Sequence, residues 1–244
     1  INGNWEEAYK YRIELHQLVE AQFGTGYSRD IVNRYFVSLN NLIPICISLG
    51  KWDETEAFLT RMESIEERSL KSHFSEELRD RILLQSSLGR LALYSRTGNL
   101  DEGLELIEFL EEKKETLELY HRKYVLLHLH FNIAYFLFTV GQYSPAIRWL
   151  NSILNDTDLK TVEDLHSSTR ILTMILQFEL GRNELLEYLA RSTYRFLNKL
   201  DGLYGFEEVM LSFMKKVSKN DVFKENPDAF QKLRTDLIEA GYEP

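Results

Sequence analysis

The sequence predicts an all-α protein, a solenoid of about eleven helices arranged as antiparallel hairpins, and three observations support this prediction. Apolar residues recur three and four residues apart along most of the chain. A glycine with similar residues after it occurs five times, at spacings of 47, 48, 43 and 40 residues. Each glycine is followed by a mostly apolar stripe at positions 5, 8, 9 and 12, which fall on one helical face. Such arrays bury their core between neighbouring repeats and expose an extended surface.

The recurring glycines predict where one helix ends and the next begins. A large side chain lies two residues after the glycine in four of the five repeats, and the fifth is degenerate there. A small or apolar residue lies five residues after the glycine in all five. The glycines are Gly3, Gly50, Gly98, Gly141 and Gly181. Glycine readily adopts the positive φ that closes a helix. Asp53, Asp101 and Ser144 then supply the acidic or capping residues that favour a helix start.

The same pattern sets the bounds of the predicted helices, counted in chain order. They are residues 4–22, 28–49, 53–73, 75–97, 101–116, 118–140, 144–155, 161–180, 183–199, 204–219 and 227–240. We expect one solenoid domain over residues 1–244, with residues 204–244 as its C-terminal capping helices.

The first predicted helix reads as the second half of a hairpin, so the domain starts in mid-repeat. Its apolar face contains Trp5, Ala8, Tyr11 and Leu15. We expect this face to be covered, either by a region attached at the N-terminus or by a second copy in a homodimer.

The motif glycine-x-aromatic-x-x-alanine, at residues 3–8 and 141–146, resembles the inter-helix turn of tetratricopeptide repeats. Ala134, seven residues before Gly141, matches the small residue of that family's first helix. The resemblance implies a right-handed superhelix with the first helix of each hairpin on its concave side. The family's tryptophan and closing proline are missing, which implies longer helices and a less regular superhelix.

A second resemblance covers residues 176–217, including segments 178–181, 192–197 and 203–207. They resemble the C-terminal segment of a bacterial tetratricopeptide-like family with no assigned activity, so the resemblance implies a fold and no chemistry. Within this region Arg195 lies among apolar neighbours, where an unpaired charge is costly. We therefore expect Arg195 to pair with Glu179 or Glu207.

Composition restricts the classes of partner. Apolar residues make up 44% of the chain and charged residues 27%, which is typical of a folded soluble protein. The net charge of −9 disfavours nucleic acid, whose affinity depends on cationic side chains. Charge is uneven: residues 101–118 are acidic and residues 191–219 are basic.

No membrane insertion is expected either. The uncharged stretch 124–140 is shorter than the ~20 residues that a span needs, and it contains two histidines, which favours a buried helix. The lone Cys46 lies in an apolar run and is expected in the core. We see no leader peptide and expect a cytoplasmic protein.

The sequence contains no recognisable catalytic or metal-binding pattern. His128 and His130 lie two residues apart, so a helix directs them to opposite sides, and no zinc or calcium motif occurs. The glycines at positions 24 and 26 indicate a turn, because no phosphate-loop lysine follows them. We therefore expect no metal, no cofactor and no enzymatic activity.

What remains is the concave surface that the repeat resemblance implies. Counting back from the turn glycines to its inward-facing positions selects the candidate partner-binding residues, which are His128, Phe131, Tyr135, Phe138, Gln85, Arg96 and Phe178. The resulting lining is apolar and aromatic, and it lacks the lysine and asparagine positions with which some relatives hold a C-terminal carboxylate. We expect Phe131, Tyr135 and Phe138 to anchor a partner; the alternative is that the same rings belong to the core.

Two functions follow from these features. The first is a non-catalytic interaction scaffold that binds a protein or peptide segment in the aromatic groove. The alternative is a sensory receptor module that binds a peptide or small ligand and regulates an attached effector domain.

Overall fold

The computed structural model describes residues 4–69, 75–115, 117, 123–156, 163–199, 205–219 and 226–242, and this part of the chain contains helices and no strands. The predicted all-α class is therefore confirmed. The helices are α1 Trp5–Phe23, α2 Arg29–Ser48, α3 Trp52–Glu63, α4 Ile65–Arg68, α5 Glu76–Thr97, α6 Leu100–Glu112, α7 Lys123–Thr139, α8 Tyr143–Leu154, α9 Glu163–Glu179, α10 Asn183–Leu197, α11 Gly205–Val217 and α12 Pro227–Glu239.

The eleven predicted helices are all found, and one of them is interrupted. The helix predicted at 53–73 ends at Glu63, and the single turn α4 follows it. The Ser64 hydroxyl donates a hydrogen bond to the carbonyl of Arg61, at 3.1 Å. Ser38 makes the same bond inside the unbroken α2, so this bond alone does not end the helix. Residues 70–73, 116, 118–122, 161–162 and 204 of the predicted helices lie outside the described residues.

The turn glycines end helices as predicted. Gly141 has a φ of +75°, and Gln142 N–H donates across it to the carbonyl of Leu137 at 2.8 Å, which is a Schellman closure. Gly98, with a φ of +82°, makes the simpler closure, a bond of 2.9 Å to the carbonyl of Tyr94. Positive φ also occurs at Gly50 and Gly181, whereas Gly3 lies outside the described residues.

Helices that follow a turn glycine start with a distinctive backbone conformation. The residues before α3, α6, α8 and α10 have ψ between 59° and 70°. By contrast, the N-caps Ser28, Ser75 and Asn226 are extended, with ψ between 105° and 154°, and their side chains accept backbone hydrogen bonds. Asn4, before α1, combines both types, because its ψ is 76° and its side chain accepts a hydrogen bond from Glu7 N–H at 3.2 Å.

The apolar face of α1 that we expected to be covered is open in the structure. The side chains of Trp5, Tyr11 and Leu15 are exposed, and so is that of Leu18 one turn further on. Ala8 is half-buried. Both proposed covers, an attached region and a second copy, therefore stay predictions.

The chain divides into two compact units, residues 1–132 and 133–244. Such divisions are expected in arrays where each repeat contacts its neighbours. The expectation of one domain with capping helices over 204–244 stays a prediction, as does the right-handed superhelix.

The core of the first unit forms where α1, α2, α3 and α5 contact one another. Leu39, Leu59 and Met62 are fully buried there. Gly89 lets α5 approach closely, because a Cβ atom at this position would lie 2.6 Å from Leu59 Cδ2 and 3.2 Å from Ile43 Cγ2. Cys46 is also fully buried, as expected, and burial raises the pKa of its thiol to about 12.

A buried polar network joins α1 to α2 in the same unit. The ring of His16 is buried, with Nδ1 2.9 Å from Ser38 Oγ. Because the Ser38 hydroxyl donates to the carbonyl of Tyr35 at 2.7 Å, it accepts from the Nδ1–H of His16, and burial lowers the pKa of this ring. The Tyr35 hydroxyl donates to Glu20 at 3.2 Å and accepts from Arg68 at 2.6 Å.

In the second unit α8 contacts α9, α9 contacts α10, and α11 contacts α9, α10 and α12. Its core includes the fully buried Leu186, Ala190 and Val217. Helix α12 adds Phe230, whose ring centroid lies 5.4 Å from that of Phe213.

The predicted ion pair of Arg195 is wrong. Its side chain is exposed, and its Nε donates to the carbonyl of Arg191 at 3.4 Å within α10. Helix α10 buries Thr193 and Leu197 instead, so Arg195 faces solvent. Because its guanidinium group is hydrated there, it needs no carboxylate partner.

Candidate functional site

Helix α7 carries four of the seven candidate residues on one face. His128, Phe131, Tyr135 and Phe138 are spaced three or four residues apart and therefore align along the helix. The other side of α7 is in the core, where Ala134 and Phe136 are among the fully buried residues. The core thus accounts for one side of this helix and leaves the candidate face partly open.

The aromatic cluster, which we define as Tyr135, Phe138 and Tyr143, is the most developed part of this face. The ring centroids of Tyr135 and Phe138 are 6.3 Å apart, and those of Phe138 and Tyr143 are 6.1 Å apart. Tyr135 is 37% exposed, while Phe138 and Tyr143 are half-buried. An aromatic surface of this kind offers a partner both apolar area and a polar hydroxyl group.

The sequence analysis did not assign two nearby aromatic residues, Tyr143 and Tyr124, to the candidate site. Tyr143 was identified as the large side chain of the turn, but its contact with Phe138 was not foreseen. Tyr124 is exposed, and its ring centroid lies 4.5 Å from that of His128. It precedes His128 by four residues, so one more step of the same helical spacing would have found it.

The two histidines of α7 are held neutral at pH 7. Burial lowers the pKa of His128, which is half-buried. The ring of His130 is 8% exposed, and burial together with the nearby Lys114 lowers its pKa to about 4. Their different surroundings agree with the prediction that they point to different sides. Neither ring carries a charge that would oppose an apolar ligand.

The remaining candidates lie on other helices. Gln85, on α5, is half-buried, and Arg96 is exposed near the C-terminal end of the same helix. Phe178, on α9, is only 6% exposed, and its ring centroid lies 6.2 Å from that of Phe230. Phe178 is therefore a core residue of the second unit, because α12 covers a ring that the sequence had placed on an open groove.

A buried polar cluster near the start of α9 was not foreseen. His166 is fully buried, and neither ring nitrogen has a hydrogen-bond partner within the described ranges. The guanidinium of Arg170 lies 4.4 Å from the ring centroid of Phe196. Burial lowers the pKa of both His166 and Arg170, and the positive charge of Arg170 lowers the pKa of His166 further, whereas Asp156 raises it.

Within the described residues no group of three or more histidine, cysteine, aspartate and glutamate side chains has the arrangement of a metal site. Among the same residues, no helix combines the length and apolar character needed to cross a membrane.

Comparisons with protein-family models, with curated proteins and with solved structures give no significant match. The class of the protein is therefore defined by its fold, an all-α array of consecutive helices in which positive-φ glycines follow α2, α5, α7, α9 and α12.

Proposed function

We propose that this protein is a non-catalytic interaction scaffold that binds a segment of a partner protein on the aromatic face of α7. The observation that supports the proposal is the incomplete burial of the aromatic cluster, with Tyr135 37% exposed beside Phe138. Tyrosine is enriched among the residues that dominate binding energy in protein interfaces. Tyr135 and Phe138 are fixed on a helix whose opposite side is buried, so little side-chain freedom would be lost on binding.

The chemistry of the face indicates the kind of segment that would bind. Phenylalanine and tyrosine rings favour apolar, aromatic or proline-containing side chains, and the hydroxyl of Tyr135 can pair with a peptide carbonyl. His128, on the same face of α7, is neutral at pH 7 because burial lowers its pKa. We therefore propose an uncharged, apolar segment as the ligand of this face.

The test uses a peptide selected from a random library for binding to the whole chain. We expect Tyr135→Ala to weaken its binding at least about tenfold, the loss typical of an interface hot spot. Tyr188→Ala is the matched control, because Tyr188 is a tyrosine of the same unit that is 66% exposed and lies on α10. Fluorescence anisotropy gives the dissociation constants, and circular dichroism checks that both variants are folded.

Two results would contradict the proposal. One is unchanged binding by folded Tyr135→Ala. The other is an equal loss in Tyr188→Ala, which would show that exposed tyrosines in general, and not the aromatic cluster, retain the peptide.

A further inference from the structure

A second surface of the molecule has a different chemistry. A cleft of about 420 Å³ runs along α11 beside Tyr194 of α10, entirely within the second unit. We call it the basic cleft, and its lining consists of Tyr194, Glu208, Leu211, Ser212, Lys215, Lys216 and Lys219.

Within the described ranges, the lysines of the basic cleft have no carboxylate partner. Among the described residues none forms an ion pair with Lys215, Lys216 or Lys219, although Arg90 and Arg191 are each paired with glutamate. Lys215 Nζ instead lies 4.7 Å from the ring centroid of Tyr194. Three lysines against one glutamate leave the lining with a net positive charge, in a chain whose net charge is −9.

Helix stability explains only part of this arrangement. Lysines in the last turn of a helix interact favourably with its carbonyl groups, which applies to Lys215 and Lys216. Lys219 lies beyond the end of α11 at Val217, where that effect fades. Next to the lysines, Tyr194 is 42% exposed and the buried Leu211 forms an apolar wall. The cleft therefore offers cations and an apolar contact side by side.

We propose that the basic cleft binds an acidic segment of a partner protein, with two or more carboxylates on the lysines and one apolar side chain against Tyr194 and Leu211. Charge complementarity supports this occupant. The three lysines lie within five residues of one another at the C-terminal end of α11, so one short peptide can reach all of them. The acidic chain as a whole repels long polyanions and anionic membranes, which disfavours both as the occupant. The proposal is independent of the aromatic face of α7.

The probe is a fluorescein-labelled peptide Glu-Asp-Phe-Glu-Glu, compared with Gln-Asn-Phe-Gln-Gln, and each is titrated by anisotropy into the whole chain. We expect the acidic peptide to bind and the neutral peptide to bind at least about tenfold more weakly. Binding should weaken when sodium chloride is raised from about 50 mM to about 300 mM, because salt screens exposed charges.

Variants locate the site. The double change Lys215→Gln and Lys219→Gln should weaken acidic-peptide binding about tenfold or more. Lys10→Gln should leave it unchanged, because Lys10 is an exposed lysine of α1, in the first unit, and does not line the basic cleft. Circular dichroism and urea unfolding check the fold of each variant.

Four results would overturn the proposal. Two concern the peptides: equal binding of the acidic and the neutral peptide, or full binding of the acidic peptide by the folded double variant. The other two are binding of a single-stranded DNA oligomer or of phosphatidylserine vesicles more tightly than the acidic peptide. Sedimentation velocity tests a fifth result, self-association. Salt-sensitive self-association that the double variant abolishes would assign the cleft to a second copy of this chain instead.

Discussion

The turn glycines allow the hairpin architecture to be tested quantitatively. At Gly141 the φ is +75°, and a Cβ atom added there would meet nothing within 4 Å. The change Gly141→Ala therefore introduces no clash, and its cost is that of holding an L-residue in the left-handed region, about 1–2 kcal/mol. Gly98, with a φ of +82° and equally open surroundings, should behave in the same way.

The measurement is urea unfolding of the whole chain at pH 7, followed by circular dichroism. Gly141→Asn should cost less than Gly141→Ala, because asparagine tolerates positive φ better than alanine does. Gly26→Ala is the control: Gly26 also has open surroundings but no positive φ, so alanine there should be neutral or slightly stabilising.

The reasoning is refuted if Gly141→Ala is as stable as the unchanged protein, or if Gly26→Ala loses as much stability. Because the two compact units can unfold separately, the Gly98 and Gly141 variants are compared by their full unfolding curves.

The remaining predictions concern the first unit. Because the folded-state pKa of His130 lies at about 4, below the unfolded value of 6.5, its contribution to stability is complete above pH 6.5 and is lost as pH falls toward 4. At pH 5 the loss should be about 2 kcal/mol, and His130→Gln should reduce this pH dependence in urea unfolding; an unchanged dependence would contradict it. Gly89→Ala should destabilise by about 1–3 kcal/mol through overpacking against Leu59 and Ile43, despite alanine's better helix propensity. The double change Gly89→Ala and Leu59→Ala should cost less than the sum of the single changes in thermal unfolding, and strict additivity would argue against this contact.

Much of the fold could be predicted because its signals are local. Gly98 and Gly141 mark helix ends through their own backbone freedom. The acidic residues Asp101 and Glu102 lie in the first turn after Gly98, whereas α6 and α8 start without the expected side-chain cap. The burial of Cys46 followed from its apolar neighbours. These features depend on a few adjacent residues, which a single sequence displays directly.

Features that depend on distant residues were missed. The covering of Phe178 by Phe230 joins positions 52 residues apart, so no local pattern could indicate it. The bonding of His16 to Ser38 likewise depends on the packing of α1 on α2. For Arg195, the apolar residues on either side were misleading, because a helix turns consecutive side chains by about 100° and only some of them enter the core.

The contacts of this molecule join helices that are close in sequence, mostly one or two elements apart. Forming each contact therefore closes only a short loop of chain, which lowers the entropic barrier to folding. During synthesis, α1 and α2 can pair as soon as both have left the ribosome, before the C-terminal helices exist. We therefore expect folding to proceed progressively along the chain, with relatively fast kinetics for a protein of this length.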